Sequence, residues 1–320
     1  MKNLKFTVEK ELRHHEVCDS SSAIALGGQH FVVANDEDNI LRVYQANISG
    51  KPVAKIDIND YFTNNPKKSE VDIEGTTQIE GIMYWITSHG RDKKGNFRPE
   101  RHQLFANQLK KSNEIAFEQV GKSYSQLLLK DMFKEDKLKQ YQLENAEKFP
   151  PKQLGGLNIE GLTVTPKKEL LIGFRNPIPQ GKALLISLKN PLDLLEKEGI
   201  SAIFGDSIEL PLDGLGIRSI EYWKSENLYI IVAGAYDSSE QFALYQWSGL
   251  DESPQRIEGI DFPQKFRPEA VLFYPNLNNQ FHILSDDGTL KRNGDTPCKD
   301  IKKQEHSQKY FRSIWVKIHN

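Results

Sequence analysis

The sequence predicts an all-β fold, a β-propeller with five visible blades and room for a sixth, on three observations. One strand–turn–strand pattern recurs along the chain. Its copies lie too far apart to be single strands and suit units of three or four strands. Convincing crossover helices between strands are rare, which argues against a layered α/β fold. Isolated β-units leave open edges and a bare face, and radial stacking about a channel covers both.

The first copy runs Ser20 to Leu26, turns at Gly27-Gly28, and returns from His30 to Asp36, with Ile40 to Tyr44 as a third strand. β-branched residues fill the runs, and acidic, Asn and Gly residues fill the turns. The second copy begins Asp72-Ile73-Glu74-Gly75, continues from Ile82 to His89, and takes Gln103 to Gln108 as its third strand. The third holds Asn158-Ile159-Glu160-Gly161-Leu162, then Glu169 to Arg175, then Ala183 to Leu188. The fourth runs from Ile217 through Tyr222, Leu228 to Ala233 and Phe242 to Trp247. The fifth runs Pro268 to Phe273 and Phe281 to Ser285. A longer interval at about residues 110–155 carries a partly helical insertion, with Ser123 to Lys139 helix-like. Asn190-Pro191 opens a second short helix, Asn as cap and Pro at the first helical position, with Gly199 ending it. Phe6 to Leu12 beside Phe311 to Ile318 would close the ring with both termini. The expected organisation is one propeller domain over residues 1–320.

Composition narrows the function. The chain carries 42 Lys+Arg against 44 Asp+Glu, a formal net charge of -2, and no long block of like charge. Nucleic acid is therefore not an expected partner. No run approaches eighteen apolar residues, and the N-terminal stretch has no apolar core or cleavage signature, so the reading is a cytoplasmic protein with no membrane association. Cys18 and Cys298 are the only cysteines, and they can meet only if the chain ends meet. Nothing in the composition addresses oligomeric state.

Aligning the apolar residues of the copies places Ser21 or Ser22, Glu74, Glu160, Arg218 and Glu269 at one repeat position. Carboxylates there can fasten neighbouring blades through loop backbones. Equally, they can gather at one mouth of the channel, where like charges raise one another's proton affinity unless a cation neutralises them. Hard oxygen donors suit a calcium ion better than zinc, so Glu74, Glu160 and Glu269 are the candidate metal ligands. The second strands end at Asn35 and Asp36, His89, Arg175, and Asp286, which makes these a second group. Arg98, in the basic loop from Ser88 to His102, joins Arg175 and Arg218 as a candidate clamp for carboxylate or phosphate oxygens. His89 is the candidate proton-transfer residue. No nucleophile elbow, zinc-protease histidine pair, cysteine metal cluster, dinucleotide fingerprint or Walker loop is present.

The ordered set VANDEDNILRVY, DIEG, YWITSHGRDKKGNFRPERHQLFA, GGLNIEGL, LLIGFRNPIPQGKALL, GLGIRSIEY, PEAV and LSDDG resembles an uncharacterised bacterial domain family of unknown function, from about Ser20 to Trp315. That resemblance implies a propeller-like protein and supplies no substrate. DIEG and NIEGL also look like motifs of esterase-like phytase propellers, which implies calcium-associated phosphoester hydrolysis through Glu74, Glu160 and Glu269. Arg218 stands where that pattern has an acid, and the first copy offers serine. Two functions follow as expectations. One is metal-dependent hydrolysis of a small anionic ester or phosphoester. The other is a noncatalytic propeller that binds a peptide, a protein or a small anion.

Overall fold

The computed structural model describes residues 5–249, 252–302 and 306–319. Strand β1 (Lys5–His15) precedes five antiparallel sheets. Blade 1 is β2 (Ser20–Leu26), β3 (His30–Asn35), β4 (Asp38–Gln45) and β5 (Ala54–Asp57). Blade 2 is β6 (Ile73–Ile79), β7 (Ile82–Thr87) and β8 (Gln103–Leu109), with β9 (Phe117–Gln119) and β10 (Tyr124–Ser125) both paired to β8. Blade 3 is β11 (Asn158–Val164), β12 (Leu170–Asn176), β13 (Ala183–Leu188) and β14 (Phe204–Leu210). Blade 4 is β15 (Gly216–Trp223), β16 (Leu228–Gly234), β17 (Phe242–Trp247) and β18 (Gln255–Ile257). Blade 5 is β19 (Pro268–Leu272), β20 (Gln280–Ser285) and β21 (Tyr310–His319), completed by β1.

The fold is thus a five-bladed propeller, and the ring closes as the sequence predicts. β1 pairs with β21 from Lys5 opposite His319 to His15 opposite Tyr310, so the last blade takes strands from both ends of the chain. The innermost strands β2, β6, β11, β15 and β19 pack side by side in a ring. Apolar side chains fill the space between blades, with Phe31, Trp85, Phe105, Phe174, Trp247 and Phe281 all fully buried. Among the described residues, no helix is long and apolar enough to cross a membrane.

Both helical expectations are corrected in extent. Helix α1 covers only Leu128–Lys134, a 3-10 turn covers Asp136–Tyr141, and helix α2 covers Leu143–Ala146. Leu128, Leu129, Met132 and Leu138 sink into the core between blades 2 and 3, so the apolar residues follow that surface rather than one helical face. Helix α3 (Pro191–Glu196) has proline in its first turn as expected, but Asn190 does not cap it. Its amide instead receives the Ile203 N–H at 2.8 Å and donates to the Ser201 carbonyl at 3.1 Å.

Blade 5 contains a pair of buried histidines that makes stability depend on pH. His14 Nε2 and His282 Nε2 lie 2.8 and 2.7 Å from the Ser313 hydroxyl, and both rings are fully buried. His14 stacks on Phe311 and His282 on Trp315. Burial, with His15 adding to it, pushes His14 down to about 3, and burial pushes His282 well below the usual range. Both are neutral in the native protein, whereas the unfolded chain protonates them near pH 6.5. The unfolded state then binds more protons, so stability is present above pH 6.5 and falls as the pH drops below it, by about 1.4 kcal/mol per pH unit per histidine. His14→Phe should flatten the fall in urea-unfolding free energy between pH 6 and 4.5 by about that amount. An unchanged slope would remove His14 from the account.

Candidate functional site

Every innermost strand carries an irregularity in its pairing with the next strand at the same place, and β11 has a second one between Asn158 and Ile159. Register slips between Ser20 and Ser22, Ile73 and Gly75, Ile159 and Gly161, Ile217 and Ser219, and Pro268 and Ala270. The residues left unpaired are Ser21, Glu74, Glu160, Arg218 and Glu269, the five that share the repeat position. A bulge kinks its strand and re-aims a side chain, and here all five line one cavity of about 920 Å³. The glycine after Glu74 and Glu160 has a packing cause. A Cβ on Gly75 would lie 2.9 Å from the Leu162 Cβ of blade 3, and one on Gly161 would lie 2.7 Å from Ile217 Cγ2 of blade 4. The Glu-Gly doublet therefore joins a side chain turned to the mouth with a backbone pressed against the next blade.

Asp36, Arg175 and Asp286, at the ends of the second strands, line the same cavity. Gly234 holds the corresponding place in blade 4, where a Cβ would fall 2.4 Å from Arg218 Cδ, so the missing side chain makes room for that arginine. Carboxylate oxygens of Glu74, Glu160 and Glu269 lie within 4.8 Å of one another. Asp19, Asp36 and Glu37 form a second such group.

The charges are distributed unevenly around the ring. Arg175 donates to Glu160 Oε1 at 2.8 Å, to the Ala235 carbonyl at 2.8 Å and to the Asp237 carbonyl at 2.7 Å. Arg218 donates through both Nε, at 2.7 Å, and Nη2 to Glu269 Oε2, and its Nε lies 3.8 Å from Glu160 Oε2. Burial works against the Glu160 carboxylate, but Arg175 and Arg218 outweigh it and hold the group below the ordinary range. Burial pushes Glu269 up to about 8 despite Arg218. Burial, then Glu160, Asp72 and Asp36, push Glu74 well above the usual carboxylate range. Burial, then Asp19 and Asp286, do the same to Asp36. Among the described residues Glu74 has no hydrogen-bond or ion-pair partner, and Glu160 Oε2 and Ser21 Oγ are buried without a hydrogen bond. Arg175 and Arg218 serve blades 3 to 5, Arg101 holds Glu70 and Asp72 beside blade 2 at 2.6 and 3.0 Å, and Glu74 is left outside these pairs.

Three sequence candidates lie elsewhere. His89 is buried, with Nδ1 2.8 Å from the Thr87 carbonyl and its ring 5.3 Å from that of His102. It is not among the residues lining the cavity, and burial lowers it to about 4. Arg98 does not line the cavity; it pairs with Glu100 at 2.6 Å and, at 3.3 Å, with Glu70, which does. Asn35 is buried and accepts the Glu37 N–H at 3.3 Å, so only its neighbour Asp36 reaches the cavity. Sequence reasoning missed Asp19 and Asp72, although each stands two residues before a repeat-position residue. It also missed Lys152, which comes from the insertion and has no counterpart in the other blades.

Cys18 and Cys298 form a disulfide beside this site. Asp19 follows one cysteine and Lys299 the other, and Lys299 Nζ lies 2.9 Å from Glu37 Oε1.

No curated protein matches the chain. Among solved structures it is similar to a GH43 protein from Bacillus licheniformis, at 8% identity and a TM-score of 0.51, covering 97% of this chain and 57% of that one. It is also similar to an arabinanase from Bacillus subtilis, at 10% identity and a TM-score of 0.48, covering 96% of each chain. A third is the PQQ-bound aldose sugar dehydrogenase from Streptomyces coelicolor, at 11% identity and a TM-score of 0.48, covering 99% of this chain and 98% of that one. At such identities the likeness is one of fold. It extends to various propellers and not specifically to the esterase-like phytases. The family model described as "Protein of unknown function (DUF3616)" matches residues 20–120 and 99–261, and the chain belongs to that family.

Proposed function

We propose that the cavity binds a hard divalent cation, calcium foremost, and with it hydrolyses a small anionic ester, phosphoesters included. The observation that carries this reading is the convergence of three glutamates from three blades, one of them, Glu74, in no ion pair among the described residues. Oxygens bonded to one calcium at about 2.3–2.6 Å lie at most about 5 Å apart, and the 4.8 Å span of Glu74, Glu160 and Glu269 meets that condition. Glu160 is already ionised, and Glu74 and Glu269 would release protons on binding. A cation so held supplies Lewis acidity toward an ester oxygen and a more acidic water. Glu74 and Glu269, rather than His89, are the groups placed to exchange protons inside the cavity. The resemblance of DIEG and NIEGL to esterase-like phytases points the same way.

Calcium at a hundred times its dissociation constant should stabilise the native protein by about 2.7 kcal/mol. Its affinity should rise from pH 6 to 8, because raised carboxyls must lose protons to bind. Glu74→Gln should abolish the thermal shift, and metal-stripped protein should lose hydrolysis of a phosphoester panel. A folded protein with no shift and no hydrolysis under any divalent cation would refute the reading.

One observation favours the noncatalytic alternative. The donors of Arg175 face Glu160 and backbone carbonyls, and Arg218 is engaged with Glu269, so neither guanidinium is offered to a substrate. Retention of a small anion or peptide with no turnover, unaffected by Glu74→Gln, would establish that function instead.

A further inference from the structure

We propose that Lys152, with Lys93 and Lys94, forms a binding subsite for an oxyanion, a phosphate or carboxylate group, above the glutamate ring. This deepens the proposed reading by naming the residues that select the charged part of the ligand. All three lysines line the cavity. Among the described residues none of their side chains is held in a hydrogen bond or an ion pair, although Lys152 lies in the field of Glu160 and Asp286, and the arginines of the cavity are engaged.

Their backbones are fixed, so the subsite is built rather than incidental. Asn176, fully buried, donates to the carbonyls of Pro151 at 2.9 Å and Gln153 at 2.7 Å, clamping the chain on either side of Lys152. Gly156 lets this segment fold on itself, since a Cβ there would lie 2.1 Å from the Pro150 carbonyl oxygen. The facing loop is shaped by Asp92, whose carboxylate accepts the N–H groups of Lys94 at 2.8 Å and Asn96 at 2.9 Å and the Asn96 amide at 2.8 Å. Asp92 is therefore occupied with the turn rather than paired with the ammonium of Lys93 or Lys94.

Lys152 lies in the field of other cations. Burial, then Arg175, depress its ammonium, with Arg218 adding to the effect and Glu160 and Asp286 opposing it. An oxyanion seated there would relieve that repulsion, and charge-assisted hydrogen bonds to it are the strong class. A ligand with one oxyanion at this end then extends toward Glu74.

The test is calorimetric titration of metal-free full-length protein with inorganic phosphate and, separately, with malonate. Lys152→Gln should weaken binding at least tenfold, Lys93→Gln/Lys94→Gln should weaken it further, and Glu74→Gln should leave it in place. Lysine-dependent binding of phosphate alone assigns a phosphoryl group, and of malonate alone a carboxylate. Unchanged affinity in the lysine variants, absence of binding to the native protein, or loss in Glu74→Gln alone would overturn the proposal. Because no metal is present, the subsite is judged independently of the cation reading.

Discussion

Replacing Arg218 with methionine should destabilise the fold by about 3–5 kcal/mol, because removing one partner of a buried ion pair leaves the other charge uncompensated. Arg218 lies between Glu160 and Glu269, and all three are more than nine-tenths buried. Glu160 keeps Arg175, so the loss falls mainly on Glu269. That carboxyl is raised above its unfolded value even with the arginine present. A raised carboxyl favours the native state at low pH, and this advantage is lost as the pH rises toward the folded pKa. The penalty for Arg218→Met should therefore be small up to about pH 7 and grow as the pH rises through 8 and beyond. Adding Glu269→Gln should recover most of it, because both charges are then gone. Urea unfolding of the native protein and the two variants at about pH 5 and about pH 9.5 checks this, and a loss under about 1 kcal/mol at the higher pH would mean that water or relaxation already neutralises the ring.

The ring was legible in the sequence because a bulge leaves a distinctive trace. A polar residue interrupts an apolar strand, and a small residue follows where the next blade approaches, as in Glu74-Gly75 and Glu160-Gly161. Arg218 could be aligned even though its charge is opposite, because apolar spacing and not charge defines the repeat. The loops were less legible. The basic loop from Ser88 to His102 does line the mouth, through Arg91, Lys93, Lys94 and Arg101, but its two candidates His89 and Arg98 do not. His89 adopts a positive φ of 53° with its ring directed to the Thr87 carbonyl, and Arg98 turns to Glu70 and Glu100. No repeat constrains these loops, so the sequence gives their composition without their direction. Lys152 shows the same gap, since its place over the mouth depends on Asn176 clamping a segment that occurs once. The helical run from Ser123 was overread for a related reason, because its leucines pack into a concave space between two blades.

Loss of the Cys18–Cys298 disulfide should destabilise the protein by about 2–5 kcal/mol and weaken cation binding together with it. The bond joins residues 280 positions apart, so in the unfolded chain it closes almost the whole polypeptide, and loop-closure entropy grows with that length. The sequence left this pairing open and expected a cytoplasmic protein, whereas stable disulfides belong mainly to oxidising compartments. In the native ring the bond works beside the β1–β21 ladder, and it also fixes the mouth. The Cys18 carbonyl accepts the Asp287 N–H at 3.0 Å, and Gly288 packs so tightly on the Asp19 carboxylate that a Cβ there would lie 1.4 Å from its oxygen. Lys299, next to Cys298, in turn holds Glu37. Cys18→Ala/Cys298→Ala should therefore lower the urea midpoint and reduce the calcium-induced thermal shift. Reductant should do the same to the native protein and nothing to the double variant, which separates the bond from the side effects of substitution. A native midpoint unmoved by reduction would show that the strand ladder alone closes the ring. A lowered midpoint with an undiminished calcium shift would instead confine the bond to stability.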